Sequence, residues 1–330
     1  MTNAGGSILD RAAARCAEVL SAAGLEDEPM AVVEGDDLLN RFPTWHRDGT
    51  PLIISRRVNP STRSSIDWSG ANVYLGARPI VEAMRGGARV VITGRVADAS
   101  LTLGPACHAF GWSLNDWDRL AGASVAGHVI ECGAQATGGL WHRWDEINDL
   151  AGIGYPIAEL RDDGASLITK PEGSGGLVSV GTVSEQLVYE IDDPSRYRTP
   201  DVDVDLTSVQ LESAGPDRVL IQGCRGQAPS DRLKVAAVYR DGWTASGMLA
   251  VVGRGAEAKA RAAGRLILDR LRRSGHEPAE SLVECLGAGG VVPGVLRNAD
   301  PIVEVVLVVT VRAIPIGRKS RGFAGNLPRS

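Results

Sequence analysis

The densest group of chemically capable side chains lies in GHVIECGAQATGG, where His128, Glu131, Cys132, Gln135 and Thr137 stand among four glycines. Glycine at that density lets backbone come close to a bound group. His128 and Cys132 at i and i+4 would share one helical face, a spacing open to a Cys–His nucleophile pair or to two metal ligands. No further Cys/His pair stands nearby, and a buried structural cysteine is the commonest fate of such a residue. His128 and Glu131 as a proton-transferring pair is the reading preferred here.

Three other polar loops accompany it. In ITGRVADAS, Arg95 would clamp an acid group through two parallel hydrogen bonds while Asp98 orients it or joins the acid–base set; an internal Arg95–Asp98 pair holding the loop is the alternative. In VVEGDDLL the adjacent carboxylates of Glu34, Asp36 and Asp37 either share a proton, take a cation or a substrate, or stay solvated at a strand end. The opening TNAGG places Asn3, Gly5 and Gly6 before a helix. There, free backbone N–H groups hold a carboxylate or phosphate, or merely form the entry turn. Farther along, Tyr155, Lys170, Ser174, Gly175 and Gly176 surround a second Gly loop that leads into a helix at Thr182–Tyr189, with Lys170 as a point charge for a phosphate. The substrate-binding set is thus Asn3, Gly5, Gly6, Glu34, Asp36, Arg95, Gln135, Tyr155, Lys170, Ser174 and Gly175, and the catalytic set His128, Glu131 and Asp98. No metal ligands are assigned.

Two further clusters read more plainly as structure. Asp201, Asp203 and Asp205 alternate along one strand face, where charge guards a solvated edge more often than it binds a metal. Trp141, His142, Arg143 and Trp144 would stack on a planar ligand or form a surface patch. GxGxxG, P-loop, HExxH, GxSxG and EF-hand patterns are missing.

The elements that must carry these loops change character along the chain. Helical spacing from Ser7 to Ala23 is followed by the short apolar strand Met30–Val33. The helical RPIVEAMRGG precedes a second strand in ARVVITG, and Leu101–Gly127 is mostly helical. Helices alternating with Val/Ile runs predict a parallel, Rossmann-like layer with Gly-rich loops and ligands at the carboxyl ends of its strands. The polar stretch from Arg41 to Gly76 reads as an insertion or lid. From about Asp201 the pattern becomes period-2 strands joined by Gly turns, with one strong helix in AEAKARAAGRLILDRLRR and a last strand in IVEVVLVVTVRA. That is an antiparallel α+β domain. The predicted fold is therefore α/β over 1–195, followed by α+β over 196–330, with the junction at Pro194–Pro200.

Composition narrows the partners. The 330 residues carry 35 Lys plus Arg against 40 Asp plus Glu, a net charge of −5, which excludes a general electrostatic grip on nucleic acid. Five cysteines without a CxxC pair argue against a disulfide framework and for a reducing compartment. Charged residues at Asp10, Arg11, Arg15 and Glu18 break any signal-peptide core, and the apolar C-terminal run is about half the ~20 residues needed to span a bilayer. A soluble, cytoplasmic protein is expected, with a small acid as substrate and no membrane partner.

The strings TNAGG, VVEGDDLL, VVITGRVADASLTLGP, GHVIECGAQATGG, IGYPIAEL, TKPEGSGGLVSVGTVSEQLVYEI and PDVDVDLTSVQLE resemble, in order, the acyclic terpene utilisation AtuA family. The resemblance runs from Thr2 to about Gly253 and weakens after it. It implies a place in bacterial catabolism of citronellol- and geraniol-type terpenes, among steps that handle branched acyl-CoA thioesters, with coenzyme A entering as part of the substrate. It assigns no catalytic residue. Relatives carry a Gly-rich loop and a strand ahead of the segment matched by TNAGG, so the first domain is expected to lack its first strands. The resulting expectation is a lyase- or hydratase-type enzyme without a redox cofactor, in a homo-oligomer. The alternative is a non-catalytic subunit or scaffold whose sheet a partner or dimer mate completes.

Overall fold

The computed structural model describes residues 1–3, 8–48, 66–292 and 302–313. Gly5 and Gly6 lie outside the described residues, as does part of the expected lid. The chain forms two compact units, Met1–Tyr239 and Arg240–Ser330.

In the first unit the helix expected from Ser7 is α1 (Leu9–Ala22), which leads to β1 (Met30–Val33). The expected lid contributes a short helix, α2 (Phe42–Arg47), and a strand, β2 (Asp67–Val73). There follow α3 (Arg78–Arg85), whose Pro lies in its first turn, and β3 (Val90–Thr93). β1 and β3 are parallel, with Met30 opposite Val90 and Val33 opposite Thr93. Single parallel bridges add Thr2 beside Ile92 and Leu75 beside Val96.

The parallel layer stops at those two strands, which corrects the Rossmann-like expectation. After β3 the chain runs into two packed helices, α4 (Ser100–Phe110) and α5 (Trp117–Ile130), instead of returning to the sheet. The next strands, β4 (Ile157–Leu160) and β5 (Ser166–Thr169), are joined by so few residues that only antiparallel pairing is open to them. Then come α6 (Val180–Val188), β6 (Tyr197–Arg198), β7 (Asp203–Asp205), β8 (Gln210–Ser213), β9 (Val219–Gln222), β10 (Arg225–Gln227) and β11 (Val235–Arg240). They form the sheets β4-β5-β9-β8 and β10-β7-β6, both antiparallel, while β11 pairs with β2. The fold is mixed α/β with mostly antiparallel sheets.

Helix α5 explains why these parts cohere. Every residue from Leu120 to Val129 is buried, and between those ends the sequence is small and uncharged apart from His128. A helix apolar on all sides belongs inside. Its Leu120, Val125 and Val129 share one core with Ile168, Val183, Val202, Val204, Val219 and Ile221. The junction read at Pro194–Pro200 therefore falls inside the first unit, because strands on both sides of it bury against the same helix. Asp203, on the central strand β7, is buried, so this aspartate run is no solvated edge.

The second unit matches its expected class. Strands β12 (Trp243–Val252), β13 (Glu280–Leu286) and β14 (Glu304–Ala313) form the antiparallel order β12-β14-β13. Between β12 and β13 in sequence comes α7 (Ala256–Arg273), which buries Ala256, Ala260 and Leu268 against Val305, Leu307, Val309 and Val311.

A Cβ at Gly122 of α5 would stand 2.0 Å from the carbonyl oxygen of Gly164, in the turn between β4 and β5. Both sides of that contact are backbone, so neither can swing away. Gly122→Ala is expected to cost about 3 kcal/mol, read as a lower denaturation midpoint; unchanged stability would show that the helix can back off from the turn.

Candidate functional site

The carboxyl edge of β1 and β3 is built around Asp36. Its carboxylate is buried, and Oδ2 accepts hydrogen bonds from Asn72 Nδ2 at 2.9 Å and from the Arg95 backbone N–H at 2.7 Å. Asp36 Oδ1 lies 1.9 Å from where a Cβ at Gly94 would be, so the carboxylate occupies space that only glycine leaves open. Asp36 thus brackets β2 to the loop after β3. In the same acidic loop Glu34 is exposed, and Asp37 caps the Leu39 N–H at 2.8 Å.

Beyond this bracket the next residues meet. Asn3 Nδ2 donates to Asp98 Oδ1 at 2.6 Å, and Arg95 Nη2 donates to Asp98 Oδ2 at 2.5 Å. The internal Arg95–Asp98 pair left open by the sequence is therefore formed. Arg95 is not used up by it. Its Nε is buried without a hydrogen-bond partner, and its guanidinium lies 4.3 Å from the centre of the Tyr74 ring. The Lys234 ammonium stands 4.6 Å from the same ring, so two cations share one aromatic face system.

His128 and Glu131 meet at the end of α5. His128 is almost wholly buried; its Nε2 lies 3.2 Å from the Leu187 carbonyl oxygen and its Nδ1 lies 3.1 Å from Glu131 Oε1. A carbonyl only accepts, so Nε2 carries a hydrogen, and the Nδ1–Oε1 contact needs one further proton. Both ring nitrogens are occupied. Gln186 Nε2 donates to the His128 carbonyl at 2.9 Å, locking α6 to the end of α5. His128 therefore positions Glu131, whose side chain is 23% exposed and is the member of the pair that reaches outward. Cys132 falls after the end of α5 at Ile130, so the i, i+4 face with His128 is not formed.

Against His128 lies Tyr197, to which the sequence assigned no role. Its ring centre lies 5.3 Å from that of His128. Burial raises the phenol well above its ordinary range, and the negative charges of Glu131 and Asp98 push it further the same way. The phenol therefore stays protonated at neutral pH. A tyrosine in SRYRTP between two strands gives no local signal of this.

The second Gly loop is a separate arrangement. The Lys170 ammonium donates to the Ser174 carbonyl at 2.7 Å and pairs with Asp217 at 3.3 Å, and its side chain is only 8% exposed. Its charge is spent on holding the loop. Ser174 Oγ donates to the Pro171 carbonyl at 2.7 Å, and the helix that follows is capped by Ser179, whose Oγ accepts from the Thr182 N–H. The place expected for a phosphate is taken by the protein's own side chains. Gly175 and Gly176 approach Asp149 and Thr137 backbone, joining EGSGG to ECGAQATGG, so these glycines serve chain-to-chain contact. Gln135 is half-buried on that short turn, and Tyr155 is exposed over Gly133. No described hydrogen bond, ion pair or ring contact ties Gln135, Tyr155, Lys170, Ser174 or Gly175 to Asn3, Arg95, Asp98 or Glu131. In the tryptophan cluster, Trp141 is buried beneath Arg143 while Trp144 is exposed.

Among the described residues no three His, Cys, Asp or Glu side chains come together in a way that could hold a metal ion, and no helix is long and apolar enough to cross a membrane. The family described as "Acyclic terpene utilisation family protein AtuA" matches residues 1–315. A match over nearly the whole chain places the protein in that family, whose description points to acyclic terpene utilisation. No curated protein and no solved structure matches the chain.

Asp201 ties together the starts of α3 and α4, accepting from the Ala77 N–H at 2.7 Å and from Ser100 Oγ at 2.6 Å. Burial raises its carboxyl above the ordinary value of 3.8 despite these bonds. The folded state then holds the proton more firmly than the unfolded chain, so this group's contribution to stability falls as pH rises above about 3.8 and levels off above the folded value. Asp201→Asn removes that slope. The melting-temperature difference, variant minus parent, is expected to shift in favour of the variant as pH rises through this window, and a flat difference would mean the carboxyl titrates normally.

Proposed function

We propose that the chain is an enzyme of branched acyl-CoA or carboxylic acid metabolism within acyclic terpene utilisation, working by lyase- or hydratase-type acid–base chemistry. The observation that carries the reading is the His128–Glu131 pair with Tyr197 against the imidazole, and the Arg95–Asp98 pair at the carboxyl edge of β1 and β3 supports it. Arg95, with its unpartnered Nε, and Lys234 on the other contact to Tyr74 offer positive charge to the carboxylate or thioester end of an acid. Asp98, held by Asn3 and Arg95, keeps the guanidinium turned.

In the elimination direction, Glu131 takes the proton from the carbon next to the carbonyl, and the Tyr197 phenol gives its proton to the leaving hydroxyl, which departs as water. Hydration runs the same proton movements backwards. His128 keeps Glu131 in place through the shared proton and is fixed in turn by the Leu187 carbonyl. Coenzyme A enters as part of the substrate. Lys170, Ser174 and Gly175 have no part in this reading, because their polar groups are already paired within their loop.

A second reading, the non-catalytic subunit, is favoured by one observation. Helix α1 has no buried residue, and Val32 in β1 is 38% exposed, although parallel layers are ordinarily covered on both faces.

The test is hydration of a methyl-branched 2-enoyl-CoA by the purified chain, followed by loss of the conjugated thioester's ultraviolet absorbance. Glu131→Gln keeps the shape of a partly exposed side chain and is expected to lower kcat by about 10²–10⁴-fold with an unchanged melting temperature. Arg95→Met is expected to act mainly on KM. Full turnover in Glu131→Gln removes the acid–base assignment, and absence of turnover and of acyl-CoA binding in the parent chain selects the subunit reading.

A further inference from the structure

The second unit leaves its two sheet edges in different states. On one side is β13, which carries Glu280 and Glu284; Glu280 is tied to Arg312 of β14 at 2.8 Å. On the other side is β12, ten residues from Trp243 to Val252 without a charged residue or a proline. Among the described residues β12 pairs with β14 alone, so its outer edge carries unmatched N–H and C=O groups. Its apolar side chains are open as well: Met248 is 74%, Trp243 69% and Val252 63% exposed. Proteins usually guard such an edge with lysine, proline, a bulge or a short strand, and β12 has none of these.

We infer that β12 is the dimer interface of this protein, where the same strand of a second copy adds antiparallel to make one continuous sheet of six strands. Three features favour a second copy as the occupant. A strand with no charge meets its own image without like-charge repulsion. A two-fold pairing of β12 uses up the unguarded edge of this sheet as formed by the described residues, and the glutamates on β13 sit at both outer ends of the enlarged sheet, so the assembly closes at two copies. The strand is also long enough to form about ten backbone hydrogen bonds with its image.

The register is constrained by geometry. Opposite residues of an antiparallel pair point to the same face, as Trp243 and Ala313 do within the subunit. The two-fold axis must therefore pass through a residue and not between two. At the middle of the strand this means Gly247 opposite Gly247 or Met248 opposite Met248 of the second copy. A Cβ at Gly247 would meet nothing within 4 Å, so either centre has room. The axis stands perpendicular to the sheet, which leaves both copies of α7 on one face.

The experiment is sedimentation equilibrium on the full chain, alongside the double variant Met248→Lys/Val252→Lys, which places lysines at positions already exposed. The expected result is a mass twice the 34.7 kDa of the chain for the parent and the chain mass for the variant, with the same far-ultraviolet circular dichroism for both. Oxidative cross-linking checks the register independently of that variant's folding. Gly247→Cys or Met248→Cys should give a disulfide-linked dimer under mild oxidation, whereas Leu282→Cys on β13 and the parent chain should not. A parent that stays monomeric at every concentration overturns the inference. So does a dimer that survives the lysines and cross-links at neither central position.

Discussion

The close burial of α5 is the constraint on which the first unit depends. A helix that is small and uncharged over nearly its whole length can be surrounded on every side, and it is: α4, α6 and strands of both antiparallel sheets pack on it. Gly122 and Gly127 let backbone come where a side chain would stand, against the Gly164 carbonyl and Ala99. The price of that arrangement is one buried imidazole near its end, and His128 is accommodated because each of its nitrogens finds an acceptor. The same burial that stabilises the core thereby fixes the carboxylate of Glu131 in space.

The polar groups at the edge of the parallel pair and at the end of α5 come from segments far apart in sequence. Asn3, Arg95 and Asp98 come from the parallel pair's edge, Tyr74 from the end of β2, Lys234 from the start of β11, and Tyr197 from β6. Asp36 sets the edge by accepting from the Arg95 backbone and from Asn72, which leaves the Arg95 side chain free to turn towards Asp98 and Tyr74. One carboxylate is spent on architecture and the other on orientation. That division of labour separates Asp36 from Asp98, although both looked alike as acidic residues at strand ends.

Much of the secondary structure was legible because local signals agreed. Val/Ile runs marked β1, β3, β9 and β14, Ala/Leu/Arg periodicity marked α7, and the second unit's sheet with one helix followed directly. The pairing of β4 with β5 was not legible, since both fall within the span read as a parallel layer, yet the short turn between them forces the antiparallel arrangement. Of the expected site, Asn3, Arg95 and Asp98 are joined by hydrogen bonds, and so, separately, are His128 and Glu131. Lys170 and Ser174 looked equally suitable, yet Asp217 and the loop's own carbonyls claim their hydrogen bonds.

By itself the sequence determined the family, the elements and the residue types from which a site could be made, because these are recorded in local pattern and in long matching strings. Only the tertiary structure decided which polar groups remain available. A lysine in a Gly loop and an arginine in a strand-end loop carry the same charge in sequence. One is buried against an aspartate from a distant turn, while the other keeps an unpartnered Nε beside Tyr74. Satisfaction of a buried polar group depends on what the fold brings within about 3 Å of it, and nothing in the neighbouring residues encodes that.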